Sequence, residues 1–381
     1  MTVVVKLGSS LVTDGRGRIR RSLLANRATE IAALVRGGER VCVVSSGAIA
    51  LGLPRLGIAR RPRATPQLQA ASAVGQVLLQ QAWDAALRRE RLEAGQILLS
   101  PSDLAERASY VNARNALDTL LRLGVVPVVN ENDATATDEI TFGDNDALAA
   151  QVAVLVRARL LVLLTEVEGV YTSHPATPGA ALVADADTSR YLVPGRGSMG
   201  PASPLGRGGM ASKVAAARLA AGAGIPTVIA SGRGAEVLGP IVAGERRGTR
   251  FAARSRDANA FRLWLRHAKP ALARVHVDAG AAEAIVAQGR SLLAVGVVRC
   301  EGTFNAGDAV ELVDAEGIAF AKGIASAGSA EVDARPRGVE VVHRDRLVLY
   351  ETRTGAEGTR VTAPSDADET SAAYLASTPD S

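Results

Sequence analysis

The sequence predicts an α/β protein of two domains: a mainly parallel sheet covered by helices on both faces, then a small β-rich domain. Three observations carry this. Short β-branched or leucine-rich runs (TVVV, VCVV, VVPVV, LLVLL) alternate with longer helical stretches from residue 2 to about 251, the order that gives crossover connections and parallel strands. Small and polar residues cluster just after those runs, where ligands of open α/β sheets bind. Beyond Arg274 the texture changes to short strand-like segments separated by turns such as Asn305, Ala306, Gly307, Asp308, the pattern of a small β domain.

In chain order, Thr2 to Ser10 reads as a buried strand opening into a small-residue loop that carries one ammonium group, Lys6. Glycine lets backbone N–H groups approach phosphate oxygens and the lysine supplies a point charge, so the stretch can seat phosphate. Taken alone, the string also fits an edge strand with an exposed lysine. A helix over 22–35 leads to strand 40–44, which runs into Ser45, Ser46, Gly47 and Ala48 at a helix start. Then come helix 66–91, strand 96–99, helix 110–123, strand 125–129, a helix over about 144–156 and strand 160–164. Residues 176–209 form a Pro-, Gly- and Ser-rich loop whose length asks for a functional reason. Helix 214–221, strand 226–230 and a short helix near Val237 complete a first domain over 1–252. A basic linker over 253–272 follows, then strand-like segments at 275–277, 295–299, 309–313, 319–324 and 347–350 in a domain over 273–352. The tail, 353–381, lacks periodicity and reads as disordered.

Composition bounds the function. A chain of 381 residues exceeds one ordinary core. With 47% hydrophobic and 22% charged residues it is globular, and at 3% aromatic its core is aliphatic. A net charge of +5 permits an acidic ligand without demanding nucleic acid. Cys42 and Cys300, in apolar runs far apart, read as buried thiols rather than a disulfide or metal pair. Trp83, four residues from both Leu79 and Leu87, reads as helix packing. No apolar run has the length of a membrane span and no leader precedes the first strand, so a reducing cytoplasm is expected.

The chemistry concentrates between Asn130 and Asp146. Asn130, Glu131, Asn132 and Asp133 follow a strand directly, and Gly143, Asp144, Asn145 and Asp146 precede a helix. Each cluster alone fits a turn or a helix cap. Together, framed by two glycine-lysine loops, they can bind the amino and carboxyl groups of an amino acid or position a lysine. The second loop, Gly206 to Lys213, is not a Walker A loop, because Ser212 rather than glycine precedes the lysine. Gly206, Gly208 and Ala211 approximate GxGxxA, but no strand precedes them and no acid lies in the window about 20 residues on. What remains is a lysine-bearing loop at a helix start, suited to polyphosphate.

The strings VKLGSS, SSGAIALG, VNENDA, GDND, LLTEVEGVYT and GRGGMASK, in this order from Val3 to about Phe251, resemble the amino acid kinase family, in particular its glutamate-phosphorylating bacterial members. The domain with GDAVEL and VHRDRLVLY resembles a PUA domain. The resemblance implies a three-layer αβα fold with a mainly parallel sheet. It also implies ATP-dependent phosphorylation of the L-glutamate γ-carboxylate to L-glutamyl 5-phosphate, the opening step of proline synthesis. By position, Lys6 and Lys213 flank the transferring phosphoryl group and Asp144 orients them. Gly8 and Ser9 give backbone support, and Ser46, Asp133, Asn145 and Asp146 hold glutamate. Thr165 and Glu166 meet the nucleotide, while Arg207, Gly208, Gly209, Met210, Ala211, Ser212 and Lys213 cover it. The family pattern expects aspartate at Glu166 and a smaller polar residue at Arg207.

No protein metal cage is visible, so Mg²⁺ is expected to arrive on ATP. A carboxylate acceptor, ionised at neutral pH, needs no general base, and none of the histidines lies in a site motif. The resemblance further implies a homo-oligomer, proline as feedback inhibitor and the reductase that consumes glutamyl phosphate as a partner. Competing readings are acetylglutamate, aspartate or UMP kinase, and an RNA-binding protein acting through the PUA-like domain and basic residues 246–274. That basic segment offers only Phe251, Phe261 and Trp264 for stacking.

Overall fold

The computed structural model describes residues 1–135, 145–173, 175–186, 209–253, 262, 265–266, 269–334 and 338–350. It divides into two compact units, residues 1–270 and 271–381.

In the first unit the strands are β1 (Thr2–Leu7), β2 (Arg40–Ser45), β3 (Ala94–Leu99), β4 (Val126–Glu131), β5 (Leu160–Thr165), β6 (Asp185–Ala186), β7 (Thr227–Ser231) and β8 (Thr249–Phe251). They form a sheet in the order β3-β4-β2-β1-β5-β7-β8-β6, parallel throughout except for β7 against β8. The chain adds strands on one side of β1 up to β4 and then crosses to β5 on the other, which puts a topological switch at β1. β1 and β4 are buried along their whole length. That two-sided burial is why these strands read as continuous apolar runs rather than alternating ones.

The helices are α1 (Ser9–Val12), α2 (Arg21–Arg36), α3 (Ala48–Arg55), α4 (Thr65–Arg89), α5 (Pro101–Ala105), α6 (Arg107–Arg122), α7 (Asn145–Leu155), α8 (Met210–Gly222) and α9 (Leu238–Ala243). Val3, Val5 and Leu7 pack on one face with Leu24 and Ile31 of α2, Leu79, Trp83 and Leu87 of α4, and Leu238 and Ile241 of α9. Each fully buried side chain of this size contributes about 1.5–3 kcal/mol. Strand alternation turns Val4 and Lys6 to the opposite face, where α7 lies against β1 and α8 against α7.

Two tertiary devices lock the helical layer. Glu30 of α2 accepts the backbone N–H groups of Val237 and Leu238, capping α9 from far away in sequence. Buried Arg27 pairs with Glu30 at 3.0 Å and donates to the Gly234 carbonyl at 2.6 Å. Between α3 and α4 the backbones touch. A Cβ on Gly52 would stand 1.8 Å from the Ala71 carbonyl oxygen, and one on Gly75 would stand 1.8 Å from that of Ala48.

Some elements differ from the sequence reading. Ser9 and Ser10 open a helical turn rather than a loop, because the Leu11 and Val12 N–H groups close on the Gly8 carbonyl. Helix α5, nucleated by a capping box between Ser100 and Asp103, is additional.

The second unit holds β9 (Ala271–Val277), α10 (Ala279–Gln288), β10 (Leu292–Leu293), β11 (Val297–Glu301), β12 (Ala309–Val313), β13 (Ala319–Ala325), α11 (Ser329–Asp333) and β14 (Glu340–Leu349). Its sheet runs β10-β14-β13-β12-β9-β11, antiparallel except for β12 against β9. Val275, Val310, Leu312, Val341 and Val342 centre its core. It is β-rich, as expected, but α10 is a helix the sequence reading lacked. Asp278 caps it on the Ala281 N–H, and Gly289 ends it at φ 62.

Cys42 is buried and Cys300 half-buried, a correction for the latter; both are free thiols. Burial pushes the Cys42 thiol up to about 12, which makes it unreactive. No helix among the described residues is long and apolar enough to cross a membrane. The tail, 353–381, and most of the basic linker lie outside the described residues.

Candidate active site

The carboxyl ends of β1, β2 and β4 and the first turns of α7 and α8 converge on one cluster. Lys6, next to last in β1, faces α7, and its Nζ lies 2.5 Å from Asp146 Oδ1. Lys213, in the first turn of α8, places its Nζ 3.1 Å from Asp146 Oδ2. The Ser212 hydroxyl donates to the same oxygen at 3.2 Å. The carboxylate between the two lysines is therefore Asp146, where the sequence reading put Asp144 and gave Asp146 to substrate. Asp144 lies outside the described residues. Exposure of these side chains is 5% for Lys6, 8% for Lys213 and 0% for Asp146, so the three charges interact with little screening. Burial alone would push the Asp146 carboxyl up, but the two ammonium groups outweigh it and hold the carboxyl below its ordinary value.

A second set of groups lies beside this triad. The Asn145 Nδ2 donates to Ser46 Oγ at 2.8 Å and to Asn130 Oδ1 at 2.9 Å. Asn130 Nδ2 donates to Gln76 Oε1 of α4 at 2.8 Å. Asp133, just past β4, accepts from Ser72 Oγ at 2.7 Å. Burial pushes its carboxyl above the ordinary range, against the lowering effects of Ser72 and Arg61. Behind Ser46, the Trp83 indole N–H donates to Ser45 Oγ at 2.9 Å, so Trp83 packs the core and also pins the end of β2. Ser46, Asp133 and Asn145, expected around the acceptor, are thus together and buried.

The sequence reading missed Ser72 and Gln76. Their signal was polar side chains four apart on the α4 face that also buries Leu68, Leu79 and Trp83.

The nucleotide-side residues are less gathered. Leu164 pairs with Leu7, so Thr165 stands beside the exit of β1. Glu166 is held by Arg233 at 2.9 Å. Gly8 caps α1 in an extended conformation, and a Cβ there would meet only the Lys6 ammonium, at 3.8 Å. Glycine thus keeps the approach to Lys6 open, and Ser9 follows in α1. Gly209 caps α8 and Met210 and Ala211 form its first turn, while Arg207 and Gly208 lie outside the described residues.

Two buried lysines bridged by one carboxylate, beside buried amide and carboxyl groups, suit transfer of a phosphoryl group to a small polar acceptor. The amino acid kinase family profile matches residues 1–231. This chain belongs to the amino acid kinase family. Its second unit carries the PUA domain match, over residues 273–345. The glutamate 5-kinase of Burkholderia mallei (strain SAVP1) is 45% identical to this family member over 363 residues, covering 91% of this chain and 97% of its own length. That of Burkholderia thailandensis is 44% identical over the same coverage. Among solved structures, the UMP kinase from Bacillus anthracis covers 67% of this chain and 96% of its own at 18% identity and a TM-score of 0.45, too distant to add to the argument.

Proposed function

We propose that this amino acid kinase transfers the γ-phosphoryl group of ATP to the γ-carboxylate of L-glutamate, giving L-glutamyl 5-phosphate at the start of proline synthesis. The observation that carries the reading is the buried Lys6–Asp146–Lys213 triad next to an amide- and carboxyl-lined acceptor side. A γ-carboxylate oxygen attacks the γ-phosphorus, the bond to the bridging oxygen breaks and ADP leaves. No proton has to move, because the acceptor is already ionised. Lys6 and Lys213 neutralise charge on the equatorial oxygens, and Asp146 keeps both ammonium groups aimed at one point. The backbone of Gly8 and Ser9 and the start of α8, from Gly209 to Ser212, supply N–H groups to the phosphates. Thr165 and Glu166 meet the nucleoside, with Arg207 and Gly208 in the covering loop. Ser46, Asp133 and Asn145 hold glutamate.

No group of three or more His, Cys, Asp or Glu among the described residues is placed to hold a metal. Mg²⁺ would be carried in by the phosphates of ATP. When bound, the ion adds charge neutralisation at the leaving group. The reading also carries a reducing cytoplasm, self-association, end-product inhibition by proline and a reductase that consumes the acyl phosphate.

The test is ATP turnover with glutamate, N-acetylglutamate, aspartate or UMP, with hydroxylamine trapping any acyl phosphate. Glutamate-dependent hydroxamate is the expected result, and Lys6→Met or Lys213→Met should lower kcat by about 10²–10³ with a smaller change in KM. Turnover with another acceptor alone would keep the family and overturn the substrate.

A further inference from the structure

On the acceptor side, several buried polar atoms have no hydrogen-bond partner among the described residues: Gln76 Nε2, Asn145 Oδ1 and Asp133 Oδ1. Unpaired buried groups are rare in folded proteins and each costs free energy. Here they are not random. Asn145 donates to Asn130 and Asn130 donates to Gln76, so the hydrogen bonds run one way along three amides. Within the relay no amide can turn over by itself, because a reversed Gln76 would set its N–H groups against those of Asn130. The relay therefore ends in an open donor at Gln76 and an open acceptor at Asn145, one asparagine side chain apart. Asp133 adds a second open acceptor, its other oxygen being held by Ser72, one helical turn before Gln76 on α4.

An α-amino acid head group carries the complementary set, an ammonium and a carboxylate on one carbon. We propose that Gln76 is a specificity residue that touches substrate: its Nε2 donates to the α-carboxylate while Asp133 Oδ1 and Asn145 Oδ1 receive the α-ammonium. This rests on the glutamate reading above. It adds a contact from α4, an element that contributes no residue to the phosphoryl-transfer triad.

The test compares the full-length enzyme with Gln76→Glu, which keeps the oxygen facing Asn130 and replaces the free donor with a negative oxygen. Two ligands are compared, glutamate by its KM and glutamate α-amide by competitive inhibition, so the analogue need not turn over. The wild type should prefer glutamate, and Gln76→Glu should raise the KM for glutamate about 10- to 100-fold. Binding of the α-amide should be unchanged or tighter and the KM for ATP unaltered, so the preference collapses or inverts. Equal weakening of both ligands would mean that Gln76 acts only through Asn130, and would overturn the proposal while leaving the glutamate reading intact. A wild type that forms no glutamyl hydroxamate would instead overturn that reading. If thermal melts show that Gln76→Glu does not fold, Gln76→Met removes the donor without adding charge. It should then cost glutamate about 10-fold more than the α-amide, and parallel losses would again overturn the contact.

Discussion

Replacing Asp146 with asparagine keeps the shape of the site and removes the one charge that lets two lysines share it. At an effective dielectric constant of about 20, the contacts of 2.5 Å and 3.1 Å correspond to attractions of about 7 and about 5 kcal/mol. Desolvation of three charges and repulsion between the ammonium groups cancel much of this, and removing one partner of a buried pair nets about 3–5 kcal/mol. In a unit of this size each kcal/mol moves Tm by roughly 2–4 °C, so Asp146→Asn should melt roughly 6–20 °C lower. Thermal denaturation of the wild type, Asp146→Asn, Lys213→Met and the double variant reads this directly.

The double variant should be more stable than Asp146→Asn alone, because one of the two stranded ammonium groups is gone. The pH dependence has a definite sign. Asp146 is held below its ordinary value of 3.8, so its contribution is complete above that value and is lost as pH falls through the lower folded one. The Tm gap between the wild type and Asp146→Asn should be flat down to about pH 5 and close below about pH 4. An additive cycle with an unchanged melting point would show that the three side chains do not act as a charge triad.

Asp133→Asn should stabilise the ligand-free protein at pH 7 by about 1 kcal/mol, since burial holds that carboxyl above its usual range and ionising it opposes folding. The gain should vanish below about pH 4, and the KM for glutamate should rise at least about 10-fold, read by calorimetry and steady-state kinetics. Gly75→Ala, whose Cβ would stand 1.8 Å from the Ala48 carbonyl oxygen, should cost about 3 kcal/mol or more, read from a urea midpoint. Trp83→Phe keeps a ring in the core but deprives Ser45 of its donor, and should cost about 1–2 kcal/mol in the same assay.

The strand and helix order of the kinase unit was legible because doubly buried strands and long amphipathic helices leave strong periodic signals. Lys6, Ser46, Asp133 and Asn145 stood out in the sequence because each lies at or just past the end of a strand or starts a helix, where α/β sheets keep their ligands, and the structure places them in one buried region. The carboxylate between the lysines did not. Asp146 stands in the first turn of α7, and it is that turn, invisible in the string GDND, that aims it at Lys6 and Lys213. Ser72 and Gln76 were hidden in mid-helix, where a polar residue on a buried face looks like a fault in the apolar stripe. Helix α10 was hidden for the opposite reason: only Ile285 of its Ala-rich run is buried. Its start at Asp278 and its stop at Gly289 were the readable marks.

The contact between Gly52 and Gly75 has a mechanical meaning for the acceptor side. Helix α3 begins two residues after Ser46, and α4 carries Ser72 and Gln76. Where two helices meet through side chains, rotamer changes let them slide or part a little. At Gly52 and Gly75 carbonyl oxygens press on bare glycine backbone, so at these two points no side chain can turn to let the helices part, while Ile49, Leu53 and Leu68 pack beside them. The two helices are pinned to each other at these points and form one side of the acceptor region as a unit. Any accommodation of a longer or shorter acceptor has to come from the β4 and α7 side, through Asp133 and Asn145. Mutations that admit a longer or shorter acceptor should therefore accumulate on that side rather than at the close contacts of Gly52 and Gly75.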